Sequence, residues 1–562
     1  MKKYILFFAL LFSFAAVPAQ RVAKKVSNAR QAVVSVLAFR QGELMGSGTG
    51  VFVGGDGELL AGYSLLAGAD SAVTIDPAGK VRPIERILGV NEIFNCVRAR
   101  VAWDRKIESL TVAATGVSVG QELYMLSYGA KKSGVVTTLT VAKVDSAYSN
   151  GYYTFSLPMK EHYLSLPVVN DNGELVGIMQ PVSARETTNS YAVSPMFASS
   201  LVPHSLNYAR GYYPGMGIRT ALPAEKEAAM SCMYMQAIVG NKDSYGAAIE
   251  DFISMFPDSH EGYTSRAEFQ AVYMRDMNVA SASWDKALSL ADNDAEVYFN
   301  KSKVINSIVQ SGDSLSSPLL SYSNALAALD KAIEIDNQPI YVNYKADMLL
   351  ANKEYAAAAD CYESLTATSL RSPDIFANAS RCQEQLGNFD RSIALLDSAV
   401  CCFTSDTVPG AAPYLLLRAV AKMSAGKYRD AVFDYNKYDA VMGGTHYASF
   451  YYMREQAELA AKMYQQALND IDMAIYLAPQ NALYYVEKSI LCYRVKMTNE
   501  GIEALETAIN LAPDTTNAEI YYLLGRLYIQ ASNTAKAREA LEKAISLGST
   551  AAAELLEALS AE

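Results

Sequence analysis

The sequence predicts two architectures in one chain: an all-β double barrel over residues 20–205, then an all-α superhelical solenoid over residues 225–562, with a linker at 206–224. Two observations carry this. Up to about residue 203, apolar residues come in short alternating or continuous runs broken by turn residues, the period of two that a half-buried strand requires. From about residue 225 the period becomes helical, and a unit of about 34 residues recurs.

In chain order, residues 1–19 come first. Lys2-Lys3 precede an apolar run from Tyr4 to Val17, and Val17-Pro18-Ala19 supplies small residues at a cleavage site. This is the pattern of a secretory signal cut between Ala19 and Gln20. The run is too short to span a bilayer, and no later stretch of about 18 apolar residues follows. No cysteine stands at the cleavage site, which argues against a lipid anchor. The mature protein is expected to be soluble and periplasmic or secreted. Strands are expected at Val33–Leu37, Ala72–Ile75, Leu123–Leu126, Val136–Val141 and Tyr152–Leu157, with Asp56-Gly57 and Asn172-Gly173 as hairpin turns. The Gly- and Pro-containing stretch Tyr208–Gly217 reads as the boundary between the two halves.

The helical repeat is clearest at Tyr521-Tyr-Leu-Leu524-Gly525-Arg-Leu-Tyr528, followed by Ala537, Leu541 and Ala544. This resembles the tetratricopeptide (TPR) pattern, in which small residues let two helices approach and large ones fill the groove between them. The second-helix small residue recurs at Ala248, Ala280, Ala325, Ala358, Ser392, Ala431, Ala467, Gly501 and Ala537, which gives about nine repeats. The interval from Ala280 to Ala325 is long, and Ser311–Pro318 reads as an inserted loop. Pro257, Pro479 and Pro513 close their repeats. Each helix pair must stack on its neighbours to bury its apolar face, so the resemblance implies a superhelix with a concave surface. It also implies that Arg381, Tyr452, Tyr493, Tyr522 and Arg526 line that surface. Tyrosine and arginine are the residue types that anchor protein partners; the other reading of these tyrosines is packing between repeats. The Lys/Asn set by which some such arrays clamp a C-terminal carboxylate is not seen.

A second resemblance lies in the β half. Gly46-Ser-Gly-Thr-Gly-Val-Phe, the Asp56-Gly57 turn and the strand ending Ala61-Gly-Tyr-Ser64 look like the opening of a trypsin-like serine protease of the HtrA/Deg branch. The likeness continues through Leu88–Val101 and His162–Ile178 and covers the whole segment. Laid on the family pattern, the catalytic histidine falls on Ser64 and the aspartate on Asn95. Anchoring on Pro167 puts the nucleophile at Leu164. Sliding by one makes it Ser165.

Those replacements bear on chemistry directly. A serine hydroxyl is a weak nucleophile until a neighbouring base takes its proton, and that base must titrate near neutrality. The chain has four histidines, His162, His204, His260 and His446, none in the first half-barrel. The glycines whose backbone N–H groups would face a developing oxyanion are replaced by His162, Ser165 and Leu166. The expectation is a pseudoprotease in which Ser64, Asn95 and Leu164 pack a former cleft, or a remodelled peptide groove. The competing expectation is a peptidase using Ser165 with Lys160 or Lys131 as base.

Composition narrows the function class further. A net charge of −11 and an isoelectric point near 5.1 argue against nucleic acid, which needs clustered Lys and Arg. The seven cysteines show neither a C-x-x-C nor a metal-ligand spacing, so no metal or cofactor is expected. Most read as small core residues, and Cys361 and Cys382 could meet on adjacent helices. Together these readings predict an exported, non-catalytic scaffold or adaptor in a Gram-negative envelope. It would bind a protein or peptide on the concave face, and association with a membrane complex fits the reading.

Overall fold

A computed structural model describes residues 24–562 apart from 104–106, 131–134, 183–185, 187, 214, 292–293, 313–314, 445, 514–516 and 562. The expected signal segment, its cleavage point and Lys131 lie outside the described residues.

After α1 (Lys24–Ala29), the alternating segments become β1 (Val33–Arg40), β2 (Glu43–Phe52) and β3 (Glu58–Gly62). A single helical turn, α2 (Tyr63–Leu66), leads to β4 (Ser71–Ile75), β5 (Val81–Asn91) and β6 (Cys96–Val101). These six strands close into an antiparallel barrel in the order β1-β2-β3-β6-β5-β4. The pattern then repeats. β7 (Glu122–Leu126), β8 (Val136–Ala147), β9 (Asn150–Phe155), β10 (Pro167–Val169), β11 (Leu175–Met179) and β12 (Ser190–Val193) close in the order β7-β8-β9-β12-β11-β10. The Asp56-Gly57 and Asn172-Gly173 turns join β2 to β3 and β10 to β11, as the sequence predicts. Closure removes exposed strand edges, and alternation puts Val34, Val36 and Ala38 of β1 inside the first barrel.

The described residues of 206–224, expected as a linker, form a packed layer. α3 (Ser205–Ala209) is followed by a strip that runs beside β5, with Ile87 N–H donating to the Arg219 carbonyl (2.8 Å) and Ala221 N–H to the Ile87 carbonyl (2.9 Å). Tyr208, Tyr213, Met216, Ile218 and Leu222 share one buried core with the first barrel. That core continues into α4 (Lys226–Val239) and α5 (Lys242–Met255) through Ala229, Cys232, Ala248 and Phe252. Asp251 of α5 pairs with both Arg86 of β5 and Arg219. The stretch is rich in large apolar side chains, and burying them outweighs the flexibility its glycines allow.

The helices continue as α6 (His260–Phe269), α7 (Met277–Leu290) and α8 (Ala295–Gln310). Next come α9 (Tyr322–Ile335), α10 (Pro339–Ala351), α11 (Tyr355–Leu365), α12 (Pro373–Gln385) and α13 (Phe389–Val400). Then follow α14 (Ala412–Ser424), α15 (Tyr428–Met442), α16 (Ala448–Ala460), α17 (Tyr464–Leu477) and α18 (Ala482–Val495). The last are α19 (Thr498–Leu511), α20 (Ala518–Gln530), α21 (Thr534–Ser546) and α22 (Thr550–Ala561). The chain divides into two compact units at Leu319/Leu320, so α4–α8 belong with the barrels and α9–α22 form the second unit. Every repeat marker from Ala248 to Ala537 is buried and falls on alternate helices from α5 to α21. Among the described residues no helix is long and apolar enough to cross a membrane.

Cys361 and Cys382 are both free thiols, and Cys401 and Cys402 are exposed just past the end of α13 rather than in a core. Cys96, Cys232, Cys382 and Cys492 are buried as expected.

Candidate functional site

The three segments expected to carry a protease triad do meet. β3 ends at Gly62, and the turn of α2 then sets Ser64 beside Asn95, which sits in the tight turn before β6. Asn95 holds the pair together: its carbonyl accepts from Tyr63 N–H (3.1 Å) and its Oδ1 from Ser64 N–H (2.7 Å). The turn demands φ = 44° at Asn95, a left-handed conformation that asparagine tolerates better than most residues. A neutral amide supplies the acceptor without placing a charge in the seam.

The third member is Ser165 and not Leu164. A Cβ built on Gly62 would lie 2.8 Å from Ser165 Oγ and 3.5 Å from Asn95 Nδ2, so the hydroxyl packs on the Gly62 backbone. Ser165 is buried and left-handed (φ = 62°), whereas Leu164 is only half-buried in the turn before it. That single left-handed residue changes which side chain meets the seam, a shift that ungapped alignment on Pro167 does not register.

Backbone donors in this segment are already engaged. Leu164 N–H donates to Glu161 O (3.1 Å), Ser165 N–H to Met179 O (3.0 Å) and Leu166 N–H to Tyr163 O (3.1 Å). The exposed His162 meets the Tyr163 ring edge-on at 4.6 Å, and His204 Nδ1 caps α3 by accepting from Leu206 N–H. Among the described residues no histidine is hydrogen-bonded to Ser165. The Lys160 ammonium stands 5.6 Å from the Tyr163 ring centroid.

In the second unit, three of the five expected partner-binding residues come together. The Arg526 guanidinium of α20 lies over the Tyr493 ring of α18 (4.4 Å) and the Tyr522 ring of its own helix (5.7 Å), and donates to Tyr493 Oη. Such contacts hold an arginine in one orientation. Tyr452 of α16 packs instead on Tyr484 of α18, ring centroids 5.4 Å apart. Burial, then Glu487 and Glu455, push its phenol above the usual range. Arg381 is exposed on α12, four helices before α16.

Sequence reading missed the polar cores of two repeats. Arg418 grips buried Asp434 with two bonds (2.8 and 2.7 Å), and Lys422 adds a third (2.7 Å). Arg454 grips Asp470 in the same way (2.6 and 2.9 Å) and also reaches Asp439 (2.7 Å), which holds His446 (2.7 Å). The signal was present: both arginines stand thirteen residues before the repeat's small marker (Ala431, Ala467), where Leu524 stands before Ala537.

Residues 518–547 match the tetratricopeptide repeat family model. The solved structure of a serine endoprotease from Yersinia pestis resembles 33% of this chain and 66% of that one, at 15% identity and a TM-score of 0.28. The FPRL1 inhibitory protein of Staphylococcus aureus, in strains MSSA476 and MW2, is 42% identical over 60 residues. That match spans 10% of this chain and 42% of the relatives' length.

Proposed function

We propose that this chain is an exported, non-catalytic scaffold: its tetratricopeptide array binds a protein or peptide partner, and its double barrel has lost peptidase chemistry. One observation carries the second half. The three consecutive amides at Leu164, Ser165 and Leu166 each donate to a carbonyl of the chain itself, so none is free to stabilise an oxyanion. Ser64 and Asn95, at the places of the base and its orienting acid, supply neither a proton acceptor near neutrality nor a charge. The test is incubation with casein and peptide esters, and with a serine-directed fluorophosphonate. The expected result is neither turnover nor labelling. Labelling that vanishes in Ser165→Ala would instead establish a serine nucleophile.

The binding half rests on helical repeats and on the Arg526–Tyr493–Tyr522 cluster, which presents oriented aromatic and cationic groups of the kind that anchor interfaces. A pull-down from envelope extract identifies the partner. Alanine at Tyr493, Tyr522 or Arg526 is then expected to cost about 2 kcal/mol of binding, roughly a thirtyfold loss of affinity. Tyr452→Ala and Arg381→Ala test how far the surface extends. Normal binding by all five variants would remove the solenoid stripe from consideration and leave the barrel seam as the candidate surface.

A further inference from the structure

Repeats around α14–α15 and α16–α17 share one polar plan and differ at two positions, Ala419 and Lys422 of the first standing where the second has Glu455 and Glu458. In the first, Arg418 and Lys422 both bind Asp434, which is fully buried. In the second, Arg454 binds Asp470, again sixteen residues on, but the place of Lys422 is taken by Glu458. Glu458 is buried, and its Oε2 has no hydrogen-bond partner among the described residues. One turn earlier, Glu455 is buried with Oε1 likewise unpartnered, while its Oε2 accepts from Gln456 Nε2 (2.7 Å).

The surroundings are mostly acidic. Asp470 of α17 faces both, while Glu487 of α18 and Tyr452 of α16 face Glu455. Arg454 on α16 is the cation that acts on Glu458, and it is already shared between Asp470 and Asp439 of α15, the latter also holding His446. Lys488 of α18 is taken up by Asp472. Two buried carboxylates, each with one oxygen unpartnered, are costly, and the cheapest remedy is to bind a proton.

We propose that α16 carries a proton-binding site: the Glu455–Glu458 pair holds a proton where the preceding repeat holds the Lys422 ammonium, and this repeat is more stable with the proton than without it. Burial supports the assignment. It pushes Glu455 up to about 7, with Glu487 and Asp470 adding and Gln456 opposing. It pushes Glu458 up to about 8, with Asp470 adding and Arg454 opposing. A carboxyl raised in the folded state contributes stability that is complete below its unfolded value of about 4.3. That contribution is lost as pH rises through the folded value, here in the range of about 7 to 8. The proposal does not depend on the identity of any partner.

Amide hydrogen exchange on the intact chain, corrected for intrinsic rates, tests it. Between pH 6 and pH 8.5, protection in α16–α18 of the wild type is expected to fall by at least about tenfold. Glu455→Gln combined with Glu458→Gln removes both titrations and should hold the change to within about threefold, whereas each single glutamine variant should show a smaller slope than the wild type. If the double variant fails to fold, the isosteric single variants Glu455→Gln and Glu458→Gln decide the matter together. A wild-type slope in both glutamine variants would overturn the proposal. So would a loss of protection that follows sodium or potassium concentration at fixed pH, or one equally large in α10–α13.

Discussion

Asp434→Ala is expected to lower the thermal midpoint of the second unit by roughly 10 °C, as read by circular dichroism at 222 nm. Asp434 is fully buried and answers two cations, Arg418 and Lys422, whose side chains are themselves only slightly exposed. Removing it leaves both without their shared counter-charge, and breaking a buried pair this way costs about 3–5 kcal/mol. Asp397→Ala is the control on the same arginine. Asp397 bonds Arg418 Nη1 at 2.7 Å but is more than half exposed, so its loss should cost under about 1 kcal/mol. Equal effects would mean that burial does not govern these pairs. Replacing Arg418, Lys422 and Asp434 together by apolar residues of similar volume should recover most of the loss, because the desolvation cost of the triad disappears with its charges.

That contrast shows where sequence reading succeeded and where it stopped. The markers from Ala248 to Ala537 located alternate helices because a small side chain is required wherever two helices press together, a demand that acts residue by residue. Arg418 and Arg454 were hidden by the same logic. They occupy a position where an apolar residue is expected, and their partners lie sixteen residues away on another helix. Ser64 and Asn95 were legible as neighbours because the strands that present them keep register without insertion. Leu164 was chosen over Ser165 because backbone handedness at one residue leaves no trace in an ungapped alignment. The layer at 206–224 was read as a linker since Gly211, Gly215 and Gly217 outweighed the buried Tyr208, Tyr213 and Met216 between and around them.

Gly89→Ala is expected to destabilise the first unit by about 3 kcal/mol, toward the upper end for overpacking, while Gly62→Ala costs under about 1 kcal/mol. Gly62 faces Ser165 and Gly89 faces Leu201, past the end of β12, and the difference is what an added methyl would meet. At Gly89, where β5 shifts register against β6, a Cβ would fall 2.4 Å from the carbonyl carbon of Leu201 and 2.6 Å from its oxygen. That backbone cannot give way cheaply. Leu201 is buried, its N–H donates to Ala198 O (3.1 Å), and its carbonyl accepts from Arg98 (3.3 Å), which is held in turn by Glu58. At Gly62 the nearest atom is the Ser165 hydroxyl at 2.8 Å, a side-chain oxygen that can rotate away, and Asn95 Nδ2 at 3.5 Å is in ordinary contact. Removing that hydroxyl should therefore rescue the variant, so Gly62→Ala combined with Ser165→Ala should be no less stable than Ser165→Ala alone. Both tryptophans, Trp103 and Trp284, lie in the first unit, so tryptophan fluorescence excited at the red edge, where tyrosine does not absorb, reports on it alone during urea unfolding. A Gly89→Ala midpoint equal to wild type would show that the seam is loose at Leu201. A Gly62→Ala loss as large as that of Gly89→Ala, unrelieved by Ser165→Ala, would mean that Ser165 does not pack on Gly62. Such a result would reopen the seam as a cleft with an accessible hydroxyl.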